Sequence, residues 1–158
     1  MTGTPALHVA PADPDAPEAG RLLEAYFREL RQRLAPAPVE VGSRWPPDFR
    51  GPGAAVALGW HEGSAVGCAG LRPMGTGVVE LKHFFLVPEA RGRGLGRVLL
   101  TGVEEVARGL GARRIVLDTA APLTEAAGLY LAAGYARIPR YNDNPHAGAW
   151  FGRDLDRP

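Results

Sequence analysis

Arg91-Gly92-Arg93-Gly94-Leu95-Gly96-Arg97 is the stretch on which the reading of this chain turns. Before it runs Val78-Val79-Glu80-Leu81-Lys82-His83-Phe84-Phe85-Leu86-Val87, rich in β-branched and aromatic residues and closed by Pro88. That composition reads as a strand. After it, Leu99, Val103, Val106 and Leu110 recur at spacings of four, three and four, one face of a helix. The glycines therefore occupy a tight loop that runs into a helix N-terminus. They leave no Cβ between the backbone and a ligand. The first-turn N–H groups of a helix lack intrahelical acceptors, and the dipole makes that end positive. An anion, phosphate or pyrophosphate, is the expected occupant.

Spacing excludes two glycine loops. A P-loop requires Gly, four residues and Gly-Lys-Ser/Thr, and no lysine follows these glycines. A dinucleotide fingerprint requires G-x-G-x-x-G/A, yet counting from Gly92 ends on Arg97 and from Gly94 on Leu99. What remains is Arg91-x-x-Gly94-x-Gly96. This resembles the coenzyme A pyrophosphate loop of the GNAT N-acetyltransferase family, Gln/Arg-x-x-Gly-x-Gly/Ala. Taken alone it also fits a glycine-rich turn with no ligand.

Composition narrows the field. At 158 residues the chain is read as one domain, residues 1–158. Lys and Arg (18) nearly balance Asp and Glu (17), so no general field attracts nucleic acid or an acidic membrane. Lys82 is the single lysine. Cys68 is the single cysteine, which excludes an intramolecular disulfide, and its apolar strand context reads as packing. No basic leader precedes an apolar run and no window approaches ~18 apolar residues, so a cytoplasmic protein is expected.

Along the chain, residues 8–10 form a short strand that Pro11 to Asp13 should break. Asp15 or Pro17 opens a helix with Leu22, Leu23, Tyr26, Phe27, Leu30 and Leu34 at helical period. Residues 35–53 hold five prolines, three glycines and Trp45 and read as an ordered loop. Strands are expected at 54–60 and 65–71 around a hairpin turn at 61–64. A second turn at 73–77 leads into the strand ending at Val87. After the helix over 95–110 comes a strand at 113–119, parallel to its predecessor because a crossover helix joins them. A helix over 123–133 stops at Gly134. Two last strands, 135–138 and 149–155, flank a turn-rich loop.

This order resembles the GNAT fold: an α/β (α+β) domain with a mixed, mostly antiparallel sheet of six to seven strands and about four helices. Glu80-Leu81-Lys82, Leu117-Asp118-Thr119, Leu129-Tyr130 followed by Gly134-Tyr135, and Tyr141-Asn142-Asp143-Asn144-Pro145 look like one bacterial branch. The resemblance implies direct transfer of acetyl from acetyl-CoA to a primary amine of a small molecule or amino acid. Acetylation of a protein N-terminus or lysine, or a non-catalytic acyl-CoA sensor, stand as alternatives.

It also implies roles. Backbone N–H groups of Gly92, Arg93, Gly94, Leu95, Gly96 and Arg97 would hold the pyrophosphate, with the Arg91, Arg93 and Arg97 side chains beside it. The pantetheine arm would lie between Phe85-Leu86-Val87 and the strand reaching Thr119, pairing like an added strand. An N–H near Leu86 would face the developing oxyanion. Glu80 would serve as base toward an ammonium of pKa ~10, directly or through water. Tyr130 would protonate the departing thiolate of pKa ~8.5. Leu123 stands where many relatives carry asparagine, which removes one side-chain contact to the arm. Glu24, Trp45, Tyr141 and Asp143 are candidates for the acceptor site. Histidine spacing gives no metal site, and His83 reads as a satisfied core residue on the face opposite Glu80. Relatives often form homodimers.

Overall fold

The computed structural model describes residues 6–155. A seven-stranded sheet runs in the order β1-β2-β3-β4-β5-β7-β6. Its strands are β1 (His8–Ala12), β2 (Ala55–His61), β3 (Ser64–Gly75), β4 (Val78–Leu86), β5 (Arg114–Ala120), β6 (Ala136–Arg137) and β7 (Ala147–Asp154). Three α-helices accompany them: α1 (Pro17–Leu34), α2 (Leu95–Gly109) and α3 (Thr124–Ala132). The proline-rich stretch expected as a loop adds only a 3-10 turn, Pro47–Phe49, and a second such turn, Pro88–Ala90, follows β4.

The β4–β5 pair is the parallel one among antiparallel neighbours, as the crossover through α2 requires. Pro11 does not break β1, which continues to Ala12. β1 is the sheet edge, where alternate residues face away from the partner strand and proline is accommodated. The β2–β3 turn places Glu62 at φ 51° and Gly63 at φ 81°, two left-handed residues suited to a two-residue hairpin.

Each face of the sheet carries its own core. Leu71, Leu81, Leu99, Leu100, Ile115 and Leu117 pack among α2 and α3. Leu22, Leu23, Val56, Leu58, Trp45 and Phe49 pack with α1 on the other. Gly70 admits this second layer, since a Cβ there would lie 2.6 Å from both Phe49 and Trp45. Cys68 is fully buried, and burial pushes its thiol pKa up, as befits a packing residue.

Two departures from regular pairing build the site. The β4–β5 ladder holds only Val78↔Arg114, Val79↔Ile115 and Glu80↔Val116, after which the strands diverge. On the other edge of β4 an extra residue enters between the rungs Gly70↔Lys82 and Cys68↔Phe85, and His83 sits there at φ 56°. This bulge inverts the side-chain phase. Leu81 belongs to the α2–α3 core, but His83 and Phe85 turn to α1 while Phe84 turns toward Tyr130. His83 therefore lies on the same face as Glu80, contrary to the alternation expected from sequence.

Candidate active site

The loop after β4 has the form read from its glycines. Gly92 and Gly94 take φ of 79° and 78°, and Gly94 caps α2. A Cβ on either would meet nothing within 4 Å, so backbone conformation demands glycine there, not space. Gly96 is helical, and its Cβ would meet only Leu129 at 3.9 Å. No acidic residue occupies the first turn of α2 and no side chain caps it. Its leading N–H groups are thus left facing outward for an anion. Arg91 donates from Nε to the Leu86 carbonyl (2.8 Å) and pairs with Glu29 (2.9 Å). Arg97 donates to the Ala132 carbonyl (3.2 Å), and Arg93 is exposed.

Two cavities meet where β4 and β5 diverge. One of about 180 Å³ lies beside the loop and is bordered by Phe84, Phe85, Leu86, Arg91 and Gly96. The other, about 640 Å³, reaches toward α1 and residues 38–42. Tyr26, Leu30, Phe84, Leu123 and Ala126 border both, so the two adjoin. Thr119 and Tyr130 line the larger cavity. Val87, expected beside the donor arm, uses its N–H on the Val66 carbonyl (2.8 Å), and Leu86 accepts from Arg91 at its carbonyl. Leu123, in the asparagine position, supplies an apolar wall to both cavities instead of a polar contact.

Tyr130 is buried, with its ring against Phe84, Tyr135 and Phe151. Its hydroxyl has no hydrogen-bond partner among the described residues. Burial raises its pKa, so it remains protonated well above neutrality. Tyr26, which the sequence placed merely on an apolar stripe, is half-buried, has its pKa raised by desolvation, and borders both cavities.

Glu80 is fully buried and does not border the larger cavity. Its Oε1 accepts from Arg72 Nε (2.7 Å), while Oε2 accepts from the Tyr141 hydroxyl (2.6 Å) and Asn142 Nδ2 (3.3 Å). Such a carboxylate is saturated by donors and has no free face for an incoming ammonium. Asn142 continues the network by donating to Asp118 (2.6 Å) and accepting from Trp150 Nε1 (3.0 Å). Asp118 also receives Lys82 Nζ (3.3 Å) and Asn144 Nδ2 (3.1 Å). Where backbone rungs stop, these side chains tie β4 to β5.

None of the four residues expected to bind acceptor borders the larger cavity. Glu24 pairs with Arg28 along α1. Trp45 is buried behind β3 and β4, its Nε1–H donating to the Ala19 carbonyl (2.9 Å). Tyr141 turns inward to Glu80. Asp143 is fully exposed and pairs with Arg140. The walls come instead from Tyr26, Phe27, Val39, Lys82, Asp118 and His146.

His83 lines this cavity among the rings of Tyr26, Phe27, Trp45 and Phe49, at centroid distances of 5.0–5.7 Å. Its Nδ1 is buried without a partner, so it is a core residue but not a satisfied one. Desolvation, then the charges of Lys82 and Arg72, lower its pKa to about 3. Between that value and the unfolded ~6.5, the unfolded chain binds the extra proton. Stability is therefore full above pH 6.5 and falls as pH drops toward 3. We expect a loss of up to ~1.4 kcal/mol per pH unit in that window. Urea midpoints for wild type and His83→Leu at pH 7 and pH 5 test this, since the variant should lack the His83 share of the slope. Equal slopes would contradict the assignment.

The described residues contain no group of three or more His, Cys, Asp or Glu able to hold a metal ion, and no helix among them is long and apolar enough to cross a membrane. A mixed sheet opened between two parallel strands, with a glycine-built helix N-terminus at the opening, is the architecture of acyl-CoA N-acyltransferases. An acetyltransferase of this kind from Staphylococcus aureus aligns with a TM-score of 0.73 at 16% identity, covering 96% of this chain and 100% of that one. One from Elizabethkingia anophelis, solved with acetyl-CoA bound, gives 0.64 at 16% identity over 94% and 97%. An N-acetyltransferase of Schizosaccharomyces pombe is 31% identical over 127 residues, 78% of either chain. The acetyltransferase (GNAT) family model matches residues 19–135, and the chain belongs to that family. Its activity at family level is acetyl-CoA-dependent acyl transfer.

Proposed function

We propose that this enzyme transfers acetyl from acetyl-CoA to a primary amine of a small molecule. The observation that carries this reading is the pair of adjoining cavities: one beside the glycine loop and a larger one lined by Tyr130. A volume of about 640 Å³ suits a small molecule. When bound, acetyl-CoA supplies the acetyl group as a thioester. The N–H groups of residues 92–97 hold its pyrophosphate, assisted by Arg93 and Arg97. Phe85, Leu86, Val87 and Thr119 flank its arm where β4 and β5 diverge. Arg91 braces the exit of that groove through Glu29 and Leu86.

The amine reacts as its free base after giving one proton to solvent. Its nitrogen bonds to the acetyl carbon as the C–S bond breaks, and Tyr130 donates the proton that the leaving sulfur takes up. Through solvent, the second proton lost by the nitrogen restores Tyr130. Its free hydroxyl and raised pKa keep the proton available at neutral pH. Glu80 we assign to positioning, in place of the base role expected from sequence: it fixes Tyr141 and Asn142, and through Asn142 the Asp118 carboxylate on the cavity wall. A cytoplasmic setting suits the buried free thiol of Cys68.

Two measurements test the whole. Acetyl-CoA at ~100 times its Kd should add about 2.7 kcal/mol of stability, read by thermal unfolding. Thiol release should then appear with one or more members of an amine panel. Glu80→Gln should raise the acceptor KM and keep the acidic limb of the kcat/KM pH profile. No thermal shift would remove the donor assignment. A vanished acidic limb would return Glu80 to the base role.

A further inference from the structure

The larger cavity has a charge inventory that discriminates among amines. Its charged lining residues are Glu40, Lys82 and Asp118, the imidazoles of His83 and His146 also line it, and no arginine does. The Lys82 ammonium is already committed, 3.3 Å from both Asp118 oxygens, with side chains only 17% and 5% exposed. His83 adds no charge, because burial in its aromatic surround holds it neutral. The remaining walls are chiefly apolar or aromatic, among them Tyr26, Phe27, Leu30, Val39 and Val41.

A carboxylate entering this space would find no unpaired lysine or arginine, and it would have to compete with Asp118 for Lys82 or remain buried without a charged partner, both costly. An ammonium meets the opposite conditions. The Glu40 carboxylate, which has no partner among the described residues, favours it, aromatic faces attract it, and a neutral imidazole accepts a hydrogen bond from it.

We propose that the acceptor is a primary amine on an aryl or branched alkyl body with no carboxylate beside the amine, and that α-amino acids are rejected. This rests on the larger cavity being the acceptor site, as argued above, and it narrows the acceptor class named there.

The test uses matched pairs that differ only in the carboxylate, phenethylamine against phenylalanine and tryptamine against tryptophan. Their affinities for the wild-type protein are measured by thermal shift and calorimetry in the presence of CoA. Each amine should bind at least ~10-fold more tightly than its amino acid. Val41→Arg, which supplies a free guanidinium on the wall, should narrow that ratio. Equal or tighter binding of the amino acids, or no binding of either member at 10 mM, which is ~10 times a weak millimolar Kd, overturns the proposal. Acetyl transfer is read separately by thiol release. Amine binding without transfer would sink the transferase reading and leave this selectivity standing.

Discussion

Gly96→Glu is expected to stabilise the ligand-free protein slightly while weakening acetyl-CoA binding at least ~100-fold. The position separates the two effects because its backbone is helical and its Cβ would make only an ordinary contact with Leu129 at 3.9 Å. Replacing glycine inside a helix gains ~0.5–1 kcal/mol. A carboxylate in a first turn that now has no acidic residue gains ~0.3–1 kcal/mol more from the dipole. The same carboxylate would sit over the N–H groups that otherwise face the pyrophosphate, and would repel it. Charge-assisted hydrogen bonds are worth ~1.5–3 kcal/mol each, so losing two gives the stated factor. Gly94→Ala would be a poorer probe, since its φ of 78° makes strain and ligand loss inseparable. Thermal unfolding of the free protein and calorimetry with acetyl-CoA read the two signs. An affinity within about threefold of wild type would remove residues 92–97 as the anion site.

The form of the glycine loop, to which we assign the donor, was legible in the sequence because it is made of backbone. Glycines at 92, 94 and 96 between a strand and a helical stripe specify a conformation whatever the side chains around them do. The order of elements was legible for a related reason: alternation and helical period mark each element locally. Boundaries slipped where neighbours decided them. Pro11 looks like a stop, and only the position of β1 at the sheet edge makes it harmless. Strand β3 runs on through Pro73 to Gly75 because Val78 and Val79 pair with it there.

The lining of the cavity we assign to the acceptor was not legible, and the His83 bulge is the main cause. Simple alternation assigns His83 to one face and Phe84 to the other; one inserted left-handed residue exchanges them. Histidine is one of the few non-glycine residues enriched at positive φ, but a lone histidine inside an apolar strand run does not announce a bulge. Polar character also misled. Trp45, Tyr141 and Asp143 stood out as aromatic or charged residues in loops, yet two are consumed by internal hydrogen bonds and the third points to solvent. Asp118 and Lys82 lay within quoted motifs, and only the divergence of β4 from β5 shows that they face each other across the opening.

Tyr130→Phe is expected to lower turnover by ~10²–10⁴ while leaving acetyl-CoA affinity and stability essentially unchanged. Constant stability follows from the hydroxyl's surroundings. It has no hydrogen-bond partner among the described residues, so its removal strands no donor or acceptor, and the ring contacts with Phe84, Tyr135 and Phe151 survive. A merely structural tyrosine would show the reverse, lost stability with retained rate. The pH dependence carries a second signature. Burial raises the pKa of Tyr130, so its proton is present through the neutral range and is lost only far above it. Any basic limb of the wild-type rate profile below pH ~10 must then belong to another group. Tyr26 provides the control, as a half-buried phenol bordering both cavities. If Tyr130 is the donor, Tyr26→Phe should raise the acceptor KM without matching the fall in kcat. If instead Tyr26→Phe abolishes single-turnover thiol release and Tyr130→Phe runs at the wild-type rate, the proton comes from α1 and the role assigned to α3 is wrong. Single-turnover kinetics are needed for this comparison, because slow product release would hide a chemical step already impaired in either variant.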